Sequence, residues 1–213
     1  MGLLSITRAM AIAGTIIGLL GIVWRLDDIM RRPFKEDLSR ARGARWRGVL
    51  YAFTLGMAPW EKESGRLHWV TYIRGVLFHV GIFAAFAALF ASPWWSAIPL
   101  PLIWLVALVT GAGALAGFAG LAMRWIDTNE RALSVPDDYA AVFVTSVFTA
   151  CACLALLWPA ALPAFYLVAA ATFIYVPFSK IRHCVFFFYS RFFFGAGFGH
   201  RGVVGQPRRG DLA

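Results

Sequence analysis

Charge is scarce in this sequence, and acidic charge scarcest of all. Only 11 of the 213 residues are Asp or Glu, against 20 Lys and Arg. The carboxylates fall between the apolar stretches, which argues against a proton-coupled transporter built on buried acids. Cysteine is rarer still. Of three, Cys151 and Cys153 lie in an apolar block and Cys184 among phenylalanines, with neither zinc spacing nor a disulfide framework. They read as small apolar residues in helices. A phosphate-binding glycine loop, a G-x-S-x-G elbow, H-E-x-x-H and C-x-x-C-H are all missing, which removes the commonest hydrolase, nucleotide and zinc chemistries. There is also no internal repeat or pair of broken helices of the kind that marks many transporters.

What the sequence has is apolar length. Sixty per cent of its residues are hydrophobic and 15% are charged, more apolar surface than a soluble domain of this size covers with polar groups. Five blocks stand out, at about 9–24, 69–91, 95–123, 139–158 and 163–189. Each is long enough for a ~30 Å hydrocarbon core at ~1.5 Å per helical residue. The fold class expected is an all-α integral membrane protein, a five-helix bundle forming a single membrane domain over 1–213. Ser134-Val135-Pro136-Asp137 carries capping-box spacing with proline in the first turn, so the fourth helix is expected to begin there. Ser92-Pro93-Trp94-Trp95 and Trp158-Pro159 mark uncharged turns with interfacial tryptophans.

Basic residues set the expected orientation. Eleven lie between Arg25 and Arg74, Arg124 and Arg131 join the third and fourth segments, and six follow from Lys180 onward, leaving only Arg8 on the other face. The positive-inside rule then places the N-terminus outside and the C-terminus in the cytoplasm, with a cytoplasmic loop at 25–68 and a cytoplasmic tail at 190–213. The same rule accounts for the formal charge of +9 without nucleic acid. The long loop contains Val49-Leu50-Tyr51-Ala52-Phe53, apolar enough to lie along a membrane surface, and it is a candidate docking surface. A solvated loop touching anionic lipid is the plainer reading. Gly14 and Gly18, and Gly113 and Gly117, have the small-xxx-small spacing that brings helices close.

Among four histidines, His68 and His200 sit where water or headgroups can solvate them. His79 lies about ten residues, or ~15 Å, inside the second segment, where an ionisable side chain is a functional hypothesis by default. A neutral histidine bonded to a neighbouring helix is the alternative. If the fifth helix continues through Phe186-Phe187-Phe188-Tyr189, His183 is also about ten residues from its cytoplasmic end. The two imidazoles then sit at one depth on oppositely directed helices, as axial ligation of a haem requires. Without C-x-x-C-H, that haem would be held non-covalently, as b-type. Gly75, one turn before His79, leaves room for a flat ring, and Ser179, one turn before His183, can orient neighbours. Arg74, Lys180 and Arg182 are candidate propionate partners, with snorkelling as the alternative for each and the preferred reading for Arg191. Pro177 is expected to kink the fifth helix.

Two stretches carry a resemblance. Pro177-Phe178-Ser179-Lys180-Ile181-Arg182-His183 resembles the P-F-S-[KR]-x-x-H signature in the last helix of the respiratory nitrate reductase gamma subunit family, and Leu77-Phe78-His79-Val80-Gly81-Ile82 resembles the L-F-H-x-G-I signature of its second helix. The resemblance extends from about Trp69 to Phe194. It implies that His79 and His183 ligate one b haem on the cytoplasmic side. The diheme members' second histidine pair falls on Leu89 and Phe165 here, so a mono-haem member is implied, and the quinol site near the outer haem is in doubt. The chain is expected to serve as an electron-transfer subunit in the cell inner (cytoplasmic) membrane. It would relay electrons between quinone or quinol and a cytoplasmic-side iron–sulfur or reductase subunit, with no complete active site of its own. A haem-free anchor or assembly subunit for such a complex is the alternative.

Overall fold

The structure, a computed structural model, describes residues 2–32, 37–61, 65 and 67–204. Parts of the expected loop and the end of the expected tail, 205–213, lie outside the described residues. The described α-helices are α1 Leu3–Met30, α2 Arg45–Phe53, α3 Trp69–Ala91, α4 Leu100–Ile126, α5 Thr128–Leu133, α6 Pro136–Leu157, α7 Leu162–Tyr175 and α8 His183–His200, with 3-10 turns between several of them and no strand among the described residues. Five stretches are long and apolar enough to cross a membrane: Leu3–Met30, Trp69–Ala97, Leu100–Ile126, Pro136–Leu157 and Pro159–Phe178. This is the build of a multi-pass membrane protein. The chain divides into two compact units, Met1–Asp27 with Val70–Arg182, and Asp28–Trp69 with His183–Ala213.

Small residues hold the first unit together. Lipid tails give helices no hydrophobic reason to associate, so close backbone approach supplies the contact energy. A Cβ at Gly81 of α3 would sit 2.6 Å from the Gly113 Cα of α4, and one at Gly14 of α1 would sit 2.7 Å from the Ala170 Cα of α7. Gly18 meets the Phe173 carbonyl in the same way, so the glycine spacing read from the sequence does mark helix contacts. One core cluster draws Ala11 from α1, Ala85 and Leu89 from α3, Phe148, Ala152 and Ala155 from α6, and Phe165, Tyr166 and Ala169 from α7. Buried threonine hydroxyls are satisfied within their own helices: Thr110 donates to the Val106 carbonyl at 2.8 Å, Thr149 to Thr145 at 2.8 Å and Thr172 to Val168 at 2.7 Å.

Besides α1, which runs Leu3–Met30 where 9–24 was expected, helix boundaries differ from expectation in three places. The third segment is helical only from Leu100, because Ser92–Ala97 forms a 3-10 turn in which the Ser92 hydroxyl donates to the Leu89 carbonyl at 2.7 Å and bonds the Tyr166 hydroxyl at 2.7 Å. The fourth helix opens at Pro136, one residue off the expected box. Val135 N donates to Asp138 Oδ2 at 2.9 Å, while the Ser134 hydroxyl closes α5 by donating to the Glu130 carbonyl at 2.6 Å. The third difference is the largest. No continuous helix spans 163–189: α7 ends at Tyr175, Val176–Phe178 and Lys180–Arg182 are 3-10 turns, and α8 begins at His183. Pro177 breaks the helix instead of kinking it, since it offers no N–H and its ring clashes with the carbonyl four residues back. The freed segment is then captured. Asp137 accepts from Lys180 N at 2.8 Å and from the Tyr175 hydroxyl. The Ser179 hydroxyl donates to the Val176 carbonyl and accepts from Ile181 N, each at 3.2 Å.

In the second unit α2 packs against α8. The segment expected to lie along the membrane is the second half of α2, and the start of the expected tail is helical as far as His200. Gly48 faces Gly195 and Gly199 so closely that a side chain there would overlap backbone. Phe53 stacks on Phe188 at 6.3 Å and meets Phe187 edge-on at 6.4 Å. The end of α8 is tied back to the connecting strand of chain. Arg42 N donates to the His200 carbonyl at 2.8 Å, His200 Nε2 lies 2.8 Å from the Ser39 carbonyl, and Arg201 Nε donates to Asp37 Oδ2 at 2.9 Å. Gly202, at φ 67, takes the left-handed conformation that carries the chain past Arg42.

Candidate functional site

α3 positions the first candidate ligand. His79 lies ten residues beyond Trp69, so ~15 Å along the helix, on an exposed face of an apolar span. Its Nδ1 is 2.7 Å from the Gly75 carbonyl oxygen. A carbonyl only accepts, so Nδ1 is the donor; in a neutral imidazole Nε2 is then the acceptor, the arrangement seen where a metal-ligating histidine is oriented through its other nitrogen. Gly75 shares that face. Nothing lies within 4 Å of where its Cβ would be, unlike Gly81, Gly113, Gly117 and Gly120, whose missing side chains are filled by neighbours. Glycine inside a helix costs ~1 kcal/mol relative to alanine, and packing within the chain does not require it at position 75.

Arg74 takes another direction. Its guanidinium rests on Gly120 of α4, with Phe78 one turn further along the helix covering Gly117. Arg74 Nε is buried and has no hydrogen-bond acceptor among the described residues. A buried donor left so costs about 1–3 kcal/mol, and Arg25 Nε is buried in the same way. Arg124 repeats the pattern: Nη1 donates to the Ser134 hydroxyl at 2.7 Å, yet Nε is buried and unaccepted among the described residues. Arg124 escaped notice in the sequence because an arginine near a helix end reads as an ordinary interfacial anchor.

The residues before His183 are placed otherwise. Ser179 is fully buried and its hydroxyl holds the turn, so it shapes the backbone and is not presented as a contact group. Lys180 Nζ bonds both oxygens of Asp138 at 2.7 Å. Arg182 is half-buried at the end of the turn. His183 is exposed and is the first residue of α8, where a place in the interior of a long fifth helix was expected. His79 belongs to the first compact unit and His183 to the second. The Asp137–Asp138 pair was missed as a partner for this turn, although two acids in the first turn of α6 are a legible sign in the sequence.

Among the described residues no three His, Cys, Asp or Glu side chains gather to hold a metal ion. A metal that arrives inside its own macrocycle needs only axial nitrogens, and His79 has the tautomer, exposure and open neighbouring space for that. The positions corresponding to a second histidine pair, Leu89 and Phe165, meet in the same filled core, where Phe165 is wholly buried with its ring 5.5 Å from that of Phe148. Compared with known proteins, the chain matches no family model, no curated protein and no solved structure.

Proposed function

We propose that this chain is the haem b membrane subunit of a respiratory oxidoreductase complex, resembling the gamma subunits of nitrate reductases. His79 and His183 are its axial ligands. It relays electrons between the quinone pool and an iron–sulfur or reductase partner on the cytoplasmic side of the cell inner (cytoplasmic) membrane, with its N-terminus outside and its C-terminus inside. The observation that carries the reading is His79. An imidazole turned outward ~15 Å along an apolar helix is expensive in lipid, and its tautomer is fixed through the Gly75 carbonyl for coordination by Nε2. When bound, haem supplies a reversible one-electron couple. Gly75 leaves space beside the ligand, and Arg74 holds a buried donor ready for a carboxylate. Lys180 and Arg182 supply further positive charge, while Ser179 sets the turn that delivers His183. The filled core at Leu89 and Phe165 supports one haem instead of two.

The test is a reduced-minus-oxidised visible spectrum of the detergent-purified chain, with haem and protein quantified together. One low-spin b haem per chain is expected, lost in His79→Ala and in His183→Ala. An unchanged spectrum in either variant removes that residue as a ligand. No haem after expression with haem supplied overturns the reading. A second reading, a haem-free anchor or assembly subunit, draws on one observation: Lys180 and Ser179 are already engaged within the chain.

A further inference from the structure

The second unit carries a surface that its own packing does not explain. An open groove of ≈ 1180 Å³ runs along α8, floored by Phe192, Phe194, Phe198 and Leu38, with Arg45 and Arg201 among its lining residues. A second groove of ≈ 550 Å³, lined by Trp46, Val49, Leu50 and Phe53, shares Arg45, Phe192 and Ala196 with the first. Two apolar troughs therefore meet at one arginine. Their aromatic floor is bare: Phe194 is 63% exposed, Phe192 59% and Leu38 93%. Gly197 keeps the larger trough open, because nothing lies within 4 Å of where its Cβ would be.

The charge at the junction, Arg45, is not spent inside the unit on any described carboxylate. Arg201 is paired with Asp37, but no carboxylate among the described residues pairs with Arg45. Arg45 and Arg47 also stand in the first turn of α2, which has no acidic residue and no side-chain cap. Cations there oppose the helix dipole, so a negative group at this point relieves both. Five crossings would also bring residues 37–61 and 183–204 to the same face of a membrane, by parity alone.

We propose that these two troughs seat a single anionic diacyl phospholipid of that leaflet, one acyl chain in each, with its phosphate on Arg45. A zwitterionic lipid would fill the troughs without answering the charge, and a single-chain lipid would fill only one of them. The proposal is independent of the haem reading, since it uses neither His79 nor His183.

The experiment uses the full chain reconstituted with phosphatidylglycerol or phosphatidylcholine carrying a photoreactive acyl chain, with crosslinks mapped by mass spectrometry. Crosslinks are expected on Phe192, Phe194, Phe198 and Leu50, with a clear excess for phosphatidylglycerol. Arg45→Gln should lower the phosphatidylglycerol yield about fivefold, the change that ~1 kcal/mol per basic residue near an anionic surface corresponds to. Arg8→Gln, in α1, should leave it unchanged. Gly197→Leu, which meets no neighbour at its Cβ, should empty the larger trough of crosslinks while the smaller keeps them. Equal yields from the two lipids, or an Arg45→Gln protein that labels like the parent, would overturn the proposal. So would chain-to-chain crosslinks at these phenylalanines in place of lipid, since a second copy would then be the occupant.

Discussion

The two units solve the same problem, burying helices against each other. Both rely on glycine. Gly81 and Gly113 bring α3 against α4, and Gly48 with Gly195 and Gly199 bring α2 against α8. The difference is what happens to polar groups. In the first unit the buried hydroxyls of Thr110, Thr149 and Thr172 bond carbonyls one turn back in their own helices. In the second, polar groups are tied across elements: Arg42 N to His200, His200 to Ser39, and Arg201 to Asp37. A helix in hydrocarbon must satisfy itself before it meets a neighbour, whereas charged groups outside the apolar spans can stay solvated until they pair. Glycine contacts work in both because they depend on shape alone.

That comparison can be broken. The largest effect is expected from Gly81→Leu, which drives a side chain into the Gly113 backbone. Overpacking of this kind costs about 1–3 kcal/mol or more, and a loss of monodisperse protein with a lowered Tm in detergent is the expected result. Gly48→Leu overlaps Gly195 and Gly199 as severely, but its damage should stay in the second unit. Trypsin should then cut rapidly at Arg42, Arg45 and Arg47 while the spans remain intact. If the spans of Gly48→Leu unfold as well, the two units are not separable.

A smaller effect is expected at the turn that joins α7 to α8. Asp137→Ala removes the acceptor of both Lys180 N and the Tyr175 hydroxyl, and a hydrogen bond to a charged group is worth about 1.5–3 kcal/mol. Amide exchange at residues 176–182 should accelerate, with little change in α3 or α4.

The smallest effect is a pH dependence confined to the second unit. Hydrogen bonds from Ser39, then from Arg201, hold the Asp37 carboxyl well below the usual carboxylate range. A pKa depressed in the folded state contributes stability that is complete above the unfolded value of ~3.9 and is lost as pH falls below it toward the native value. Amide exchange near His200 and Arg201 should therefore rise as the solution is acidified through that range. In Asp37→Asn the same exchange should be raised slightly and should not respond to pH there.

The candidate site was legible one residue at a time. His79 and Gly75 stood out because a histidine at the centre of an apolar run has few ordinary reasons to be there, and both share a helix face as their spacing required. Arg74 was visible as an awkward charge, but its direction toward Gly120 was not, because that depends on which helix lies beside α3. The role of Ser179 was hidden for the same reason. Only the broken helix makes its hydroxyl a backbone tie and not a contact group.

By itself the sequence determined that there are five apolar spans, where the basic residues cluster along the chain and the glycines that helices use to approach. Hydropathy, charge and residue size are carried by each segment whatever surrounds it. Tertiary structure alone decided that the fifth segment stops at Tyr175, and that Gly48 and Gly199 make one helix pair out of loop and tail. Pro177 permits either a kink or a break, and the choice went to Asp137, about forty residues earlier, whose carboxylate accepts the backbone N–H of Lys180. A partner that distant is fixed only when the chain has folded.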